Sequence, residues 1–353
     1  LNLVSGTLAV AAESNLGASS TVSVGGGGSL RFTGGATLTR SYNLGVANLA
    51  VGSGDTLTFG SGAIVSGGFL SGPGTSVLGS GSTLNGVTAI TNTALTQASG
   101  TATVNTSTLR GALTQTGGTL AFNNSFVAGS GRLSVGGTLN TTGAEIQGVS
   151  TIHAGGTMAN SDSSLYFTGG SRTNVNTGGT LSTATGTRIE LNGSLLVNNG
   201  TQSGTLAINY GSLAKGAGSF GTVNVSDGGR FSPGNSPGTA TAENFSFEAG
   251  GRYDFELNTA NPRWGIDADL LTVTNALSVG AGTTPNSVFT VAIHSLNQAN
   301  QAAPLGDFDS SRSYQFLLVD ANTVSGFAAA GLKSRYRSLP FKLTPKLPPF
   351  RPF

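Results

Sequence analysis

A three-residue unit, Gly followed by Thr or Ser and then an aliphatic residue, recurs along this chain and constrains its fold more than any other feature. It stands as Gly6-Thr7-Leu8, Gly28-Ser29-Leu30, Gly118-Thr119-Leu120, Gly137-Thr138-Leu139, Gly156-Thr157-Met158, Gly179-Thr180-Leu181 and Gly211-Ser212-Leu213. The steps from Gly118 to Gly137 and from Gly137 to Gly156 are both 19 residues, and the next is 23. After each anchor, apolar and small polar residues alternate, as in Leu120-Ala121-Phe122 and Leu206-Ala207-Ile208. A period of two means strand. Some 19 residues hold three short strands joined by glycine turns, which is one coil of a solenoid; a propeller blade needs roughly 40 or more.

One such coil cannot bury its inward aliphatic row. A second coil stacked at about 4.8 Å pairs the backbone groups of the first and sets like residues on like. The predicted fold is therefore all-β: a right-handed parallel β-helix (β-solenoid) with about 19 residues per coil. Met158 fills the aliphatic slot of its anchor, so it belongs to the core.

Composition agrees with a long, thin core. There are 56 glycines, charged residues make up 9%, and cysteine is absent. Without cysteine neither a disulfide framework nor a thiolate metal site is available. The net charge of +2 is uneven: residues 333–353 hold six basic residues and no acid, leaving 1–332 at −4. An acidic body offers no basic stripe to nucleic acid, so no nucleic-acid partner is expected. No basic segment followed by an apolar stretch stands at the start, and no run of 18 or more apolar residues occurs.

Three regions follow from texture. Residues 1–216 carry the solenoid repeats. Residues 217–332 carry ten of the 15 acids and denser aromatics, among them Phe245, Phe247, Tyr253 and Phe255. Longer strands that continue and cap the solenoid are expected there, because an open coil is an unpaired sheet edge. Residues 333–353 are basic and proline-rich and are expected to be a disordered tail.

Within the second region, Ser232-Pro233-Gly234-Asn235-Ser236-Pro237-Gly238-Thr239 is followed by Tyr253-Asp254-Phe255-Glu256-Leu257 and Asp269-Leu270-Leu271-Thr272-Val273. With the Gly-Thr-Leu repeats, these stretches resemble bacterial autotransporter passengers. They equally resemble the surface β-helix proteins that carry a C-terminal Pro-Glu-Pro sorting signal. The resemblance covers roughly 1–330 and implies export, a secreted or bacterial cell-surface location, outer-membrane translocation machinery as a partner, and a role in adhesion, extracellular matrix or self-association. Neither a translocating barrel nor the Pro-Glu-Pro motif is within the sequence.

The expected function is that of a structural or adhesive passenger, not an enzyme, with no cofactor, and with surface polysaccharide or a second copy as the contact. A β-helix polysaccharide lyase or hydrolase is the competing reading, and a self-assembling filament subunit is a third. Hydrolases need two carboxyls within roughly 5–10 Å. Glu145 and Asp162 are 17 apart, close to one coil, with His153 and Arg172 near them in sequence, so they are the candidate catalytic pair. Asp267 and Asp269, and likewise Asp307 and Asp309, are the candidate cation ligands. A calcium site asks for six or more oxygens, and solvated turn acids explain both pairs as well. Trp264 is either a platform for sugar or an anchor for a loop. Gly234-Asn235-Ser236-Pro237-Gly238 matches the nucleophile-elbow pattern, and residues 216–221 match G-x-G-x-x-G. Both patterns require a following helix that this sequence does not predict.

Overall fold

The computed structural model describes residues 1–90, 94–280 and 289–326, and the backbone of 340–343. The chain is all-β, a β-solenoid of stacked parallel strands; among the described residues the only helical turn is the 3-10 segment Glu13–Leu16. It divides into two compact units, Leu1–Thr205 and Leu206–Phe353.

In the first unit each coil from Ser82 to Asn198 supplies three strands. One coil has Thr101–Asn105, Thr108–Leu109 and Ala112–Gln115; the next has Thr119–Asn123, Phe126–Val127 and Arg132–Val135. Each pairs in parallel with its equivalent one coil on. The registers Thr101↔Thr119↔Thr138↔Thr157↔Thr180 place the anchors directly above one another. The residues after them form one continuous inner row, Ala102, Leu120, Leu139, Met158 and Leu181, all buried.

The glycines before the anchors are there for two reasons. Gly118 has φ +72°, a left-handed conformation that a Cβ disfavours. At Gly156 the reason is proximity, since a Cβ there would lie 2.2 Å from the carbonyl oxygen of Val135 on the coil below.

Not every inward position is apolar. Gln97 and Gln115 stack inside the coil, and the Gln115 Nε2 group donates to the Gln97 Oε1 atom at 3.2 Å and to the carbonyl of Thr138 at 2.8 Å. On another inner row, Leu133 is followed by Ser150, Thr173 and Leu196. The Thr173 hydroxyl is buried without a hydrogen-bond partner. Burying an unmet hydroxyl costs about 1–3 kcal/mol. Thr173→Val keeps shape and β-branching, so it is expected to stabilise the first unit by about 1 kcal/mol in chemical unfolding. A variant less stable than the wild type would mean that the hydroxyl is satisfied after all.

In the second unit one side of the coil is built from strands of 7 to 10 residues. Ser219–Val225, Thr239–Phe247, Leu270–Val279 and Val319–Ser325 pair in parallel in that order. Opposite them run Leu213–Gly216, Arg230–Pro233, Arg252–Leu257 and Thr290–Ser295, also parallel. Aromatic rings fill the space between. Phe231 meets Phe220 edge-on at 5.3 Å and Phe245 at 4.9 Å, and stacks on Tyr253 at 6.4 Å. The buried Tyr253 hydroxyl donates to the carbonyl of Leu318 at 2.9 Å.

The change of texture at 217 falls inside this unit. Of residues 333–353 only the backbone of Pro340–Leu343 is described; it pairs antiparallel with Tyr314–Leu317. The rest of the expected tail lies outside the described residues.

Candidate functional site

The outer surface of the first unit is built by the same register that builds its core. Alternation along each strand turns every second residue outward, and stacking aligns those residues from coil to coil. Asn85, Asn105 and Asn123 are aligned in this way: Asn105 Nδ2 donates to Asn85 Oδ1 at 2.8 Å, and Asn123 Nδ2 donates to Asn105 Oδ1 at 3.0 Å. The ladder fixes the amides in one orientation. In the same unit Ser164, Gly186, Thr187, Arg188 and Thr205 line an open groove of about 390 Å³. Its lining includes no carboxylate, and Arg188 Nε is paired with Glu190 Oε1 at 2.7 Å.

The structure does not stack Glu145 on Asp162. Glu145 faces Phe126 on one side and Tyr166 on the other, while Asp162 is paired with Thr142, across a register shift. The Glu145 carboxylate accepts from the Thr168 hydroxyl at 2.6 Å and from Gln147 Nε2 at 3.2 Å. Asp162 caps its own turn, accepting from the Ser163 N–H at 2.9 Å. His153 and Arg172 belong to a different side of the coil: His153 Nε2 is 2.8 Å from the Ser134 hydroxyl, and Arg172 opens a strand paired with Val149–Ile152. Sequence proximity therefore does not become a catalytic cluster.

Asp267 and Asp269 are not brought together as a ligand pair: Asp267 lies in a turn and Asp269 is buried. Asp267 is held by Arg263 at 2.7 Å on the surface. Asp269 is fully buried, and its two oxygens accept N–H groups from Gly238 and Glu256 at 2.8 and 2.9 Å. Asp307 binds the N–H of Ala260 at 2.9 Å, and Asp309 binds Ser311 and Arg312. Among the described residues no group of three or more His, Asp or Glu side chains is placed to hold a metal ion. Trp264 is half-buried and meets Phe316 edge-on at 6.4 Å, as a loop anchor does. Residues 234–238 form a strand-to-strand turn, and residues 216–221 run from one strand into the next, so neither motif has the helix its chemistry needs.

One cluster escaped the sequence reading. On the outer face of the second unit, Asp254 is buried beneath three cationic or potentially cationic side chains. Arg230 reaches its Oδ2 atom through Nε at 3.0 Å and a terminal nitrogen at 2.6 Å. Arg252 Nε and His294 Nε2 reach Oδ1 at 2.6 and 3.0 Å. Burial alone would push this carboxyl upward, but the bonds from His294, Arg230 and Arg252 outweigh it and hold the group below the usual carboxylate range. The signal in the sequence was faint. Arg230 and Arg252 are 22 positions apart and His294 lies 42 beyond Arg252, too irregular a spacing to read as one site.

No family model and no curated protein matches this chain. A solved structure, the crystal structure of the TibC-catalyzed hyper-glycosylated TibA55-350 fragment, is similar to it at 17% identity and a TM-score of 0.45, covering 83% of this chain and 94% of that one.

Proposed function

We propose that this chain is a secreted or cell-surface β-helical protein of structural or adhesive type. It presents its stacked polar faces to surface polysaccharide and performs no catalysis. The Asn85–Asn105–Asn123 ladder carries this reading: it is a regular, pre-oriented row of amides, a surface suited to hydrogen-bonding the hydroxyls of a long polymer. Holding the amides in place before contact lowers the ordering cost of binding. The separation of Glu145 from Asp162 supports the non-catalytic half, since neither carboxylate has a partner placed for acid–base work on a glycosidic bond.

The test is retention and turnover together. The full chain is expected to be retained on immobilised polysaccharides and to release no reducing ends or unsaturated products from any of them. Turnover that Glu145→Gln or Asp162→Asn abolishes would replace this proposal with the lyase or hydrolase reading.

A further inference from the structure

The cluster around Asp254 carries more positive charge than its own structure uses. In the second unit the described cationic residues are Lys215, Arg230, Arg252, Arg263 and Arg312. Arg263 and Arg312 each have an aspartate of their own, Asp267 and Asp309, within the same short loop. Arg230 and Arg252 instead share the single carboxylate of Asp254. That leaves one guanidinium charge in surplus before His294 is counted. Glu256, on the same strand as Asp254 and opposite His294, is the other carboxylate on this face; Lys215, two strands away, is another cation there and makes no ion pair among the described residues.

The guanidiniums are also accessible. Arg230 and Arg252 keep 46% and 38% of their side-chain surface exposed, and His294 keeps 42%, while Asp254 keeps 5%. The buried carboxylate orients the donors and the donors face outward. Each guanidinium has five N–H groups in a rigid fork, and Asp254 engages only two of those of Arg230 and one of those of Arg252. Ala292, opposite Asp254, adds no bulk beyond its Cβ.

The four groups are spread over four successive strands: Lys215, Arg230, Arg252 and then His294. At about 4.8 Å per strand this is a track roughly 14 Å across. Such a row does not fit one small anion. It fits a polymer with an anion on each repeating unit.

We propose that Arg230 and Arg252, oriented by Asp254 and flanked by Lys215 and His294, form a docking track for an acidic polysaccharide, with guanidinium forks gripping sugar-borne carboxylate or sulfate. The inference rests on the polysaccharide-binding reading above and narrows it to one face and one ligand class. Arg is the residue suited to this task because its planar fork meets carboxylate and sulfate oxyanions in a bidentate way.

Binding of the full chain would be measured against polygalacturonate, dextran sulfate, neutral dextran and single-stranded DNA of similar length. Two variants separate charge from folding. Asp254→Asn removes the carboxylate that pairs with both arginines and keeps an acceptor, so affinity for the acidic polymers is expected to rise several-fold. The triple change Arg230→Gln, Arg252→Gln and Asp254→Asn removes all three charges together and leaves no unpaired buried carboxylate. With a melting curve showing it folded, it is expected to lose at least tenfold in affinity for acidic polymers while neutral dextran binding is unchanged. Added salt is expected to weaken only the acidic arm. The ratio of polygalacturonate to dextran sulfate binding identifies the anion as carboxylate or sulfate. Acidic binding that the triple variant keeps, or DNA binding as tight as that of polygalacturonate, would overturn the track while leaving neutral polysaccharide binding intact. Failure to bind any polysaccharide would take down the broader reading as well.

Discussion

Phe231→Ala is expected to destabilise the second unit by about 3–5 kcal/mol, the range for removing a fully enclosed aromatic ring. Phe231 is fully buried and touches Phe220, Phe245 and Tyr253, so its ring joins strands from both sides of the coil. The edge-on contacts at 5.3 and 4.9 Å add to the area term, because each such pair contributes about 0.5–1.5 kcal/mol beyond burial. Phe231→Leu retains most of the volume and should cost much less. Chemical unfolding followed by tyrosine and tryptophan fluorescence reads both, since Trp264 and Tyr253 lie in this unit. A loss under 1 kcal/mol for the alanine variant would show that the core closes over the gap and that the aromatic column is not what holds the unit together.

Asp269→Ala should be the second severe change, for a polar reason. Its carboxyl group ties the Ser-Pro-Gly turn to the adjoining strand by accepting the N–H groups of Gly238 and Glu256. Removing it leaves two backbone donors unmet, at about 1–3 kcal/mol each.

The same group sets a pH dependence. Burial pushes the Asp269 carboxyl up to about 8, against the pull of its two N–H bonds and helped by the nearby charges of Glu256 and Asp254. A carboxyl whose value is higher folded than unfolded contributes fully at pH below its unfolded value, near 3.8, and that contribution is lost as pH rises through about 8. Asp254 behaves in the opposite sense. Its folded value is lowered, so its contribution is present above 3.8 and disappears as pH falls through the folded value. The second unit should therefore melt highest near pH 4 and lose stability on the alkaline side of that maximum, as pH rises towards about 8. Asp269→Asn should flatten the alkaline side. Equal alkaline loss in wild type and Asp269→Asn would exclude Asp269 as its source.

The core was legible in the sequence because stacking makes it so. Gly118, Gly137 and Gly156 mark the start of equivalent strands at 18- and 19-residue registers, and the row from Ala102 to Leu181 follows directly. The site was less legible, because coil length varies away from those anchors. Glu145 meets Tyr166, 21 positions on, not the residue 17 on, since a register shift after Thr141 and the turn at Ser163 add residues to that coil. A sequence gap close to the mean period is a poor guide to which side chains touch across two coils. The convergence of Arg230, Arg252 and His294 on Asp254 was hidden for the same reason. It spans coils of unequal length, and its centre is a carboxylate that alternation places on the outer face but that its neighbours then cover.

The shared register of the strand from Thr119 to Asn123 with its neighbours above and below has an evolutionary corollary. Excising one whole repeat rejoins matching ends, keeps inward residues inward, and shortens the core by one layer. Losing a single residue inverts every side chain until the next turn absorbs the error. Lineages that carry this architecture should differ in length by whole coils. Reach is then inherited in discrete steps, independently of the residues that face outward.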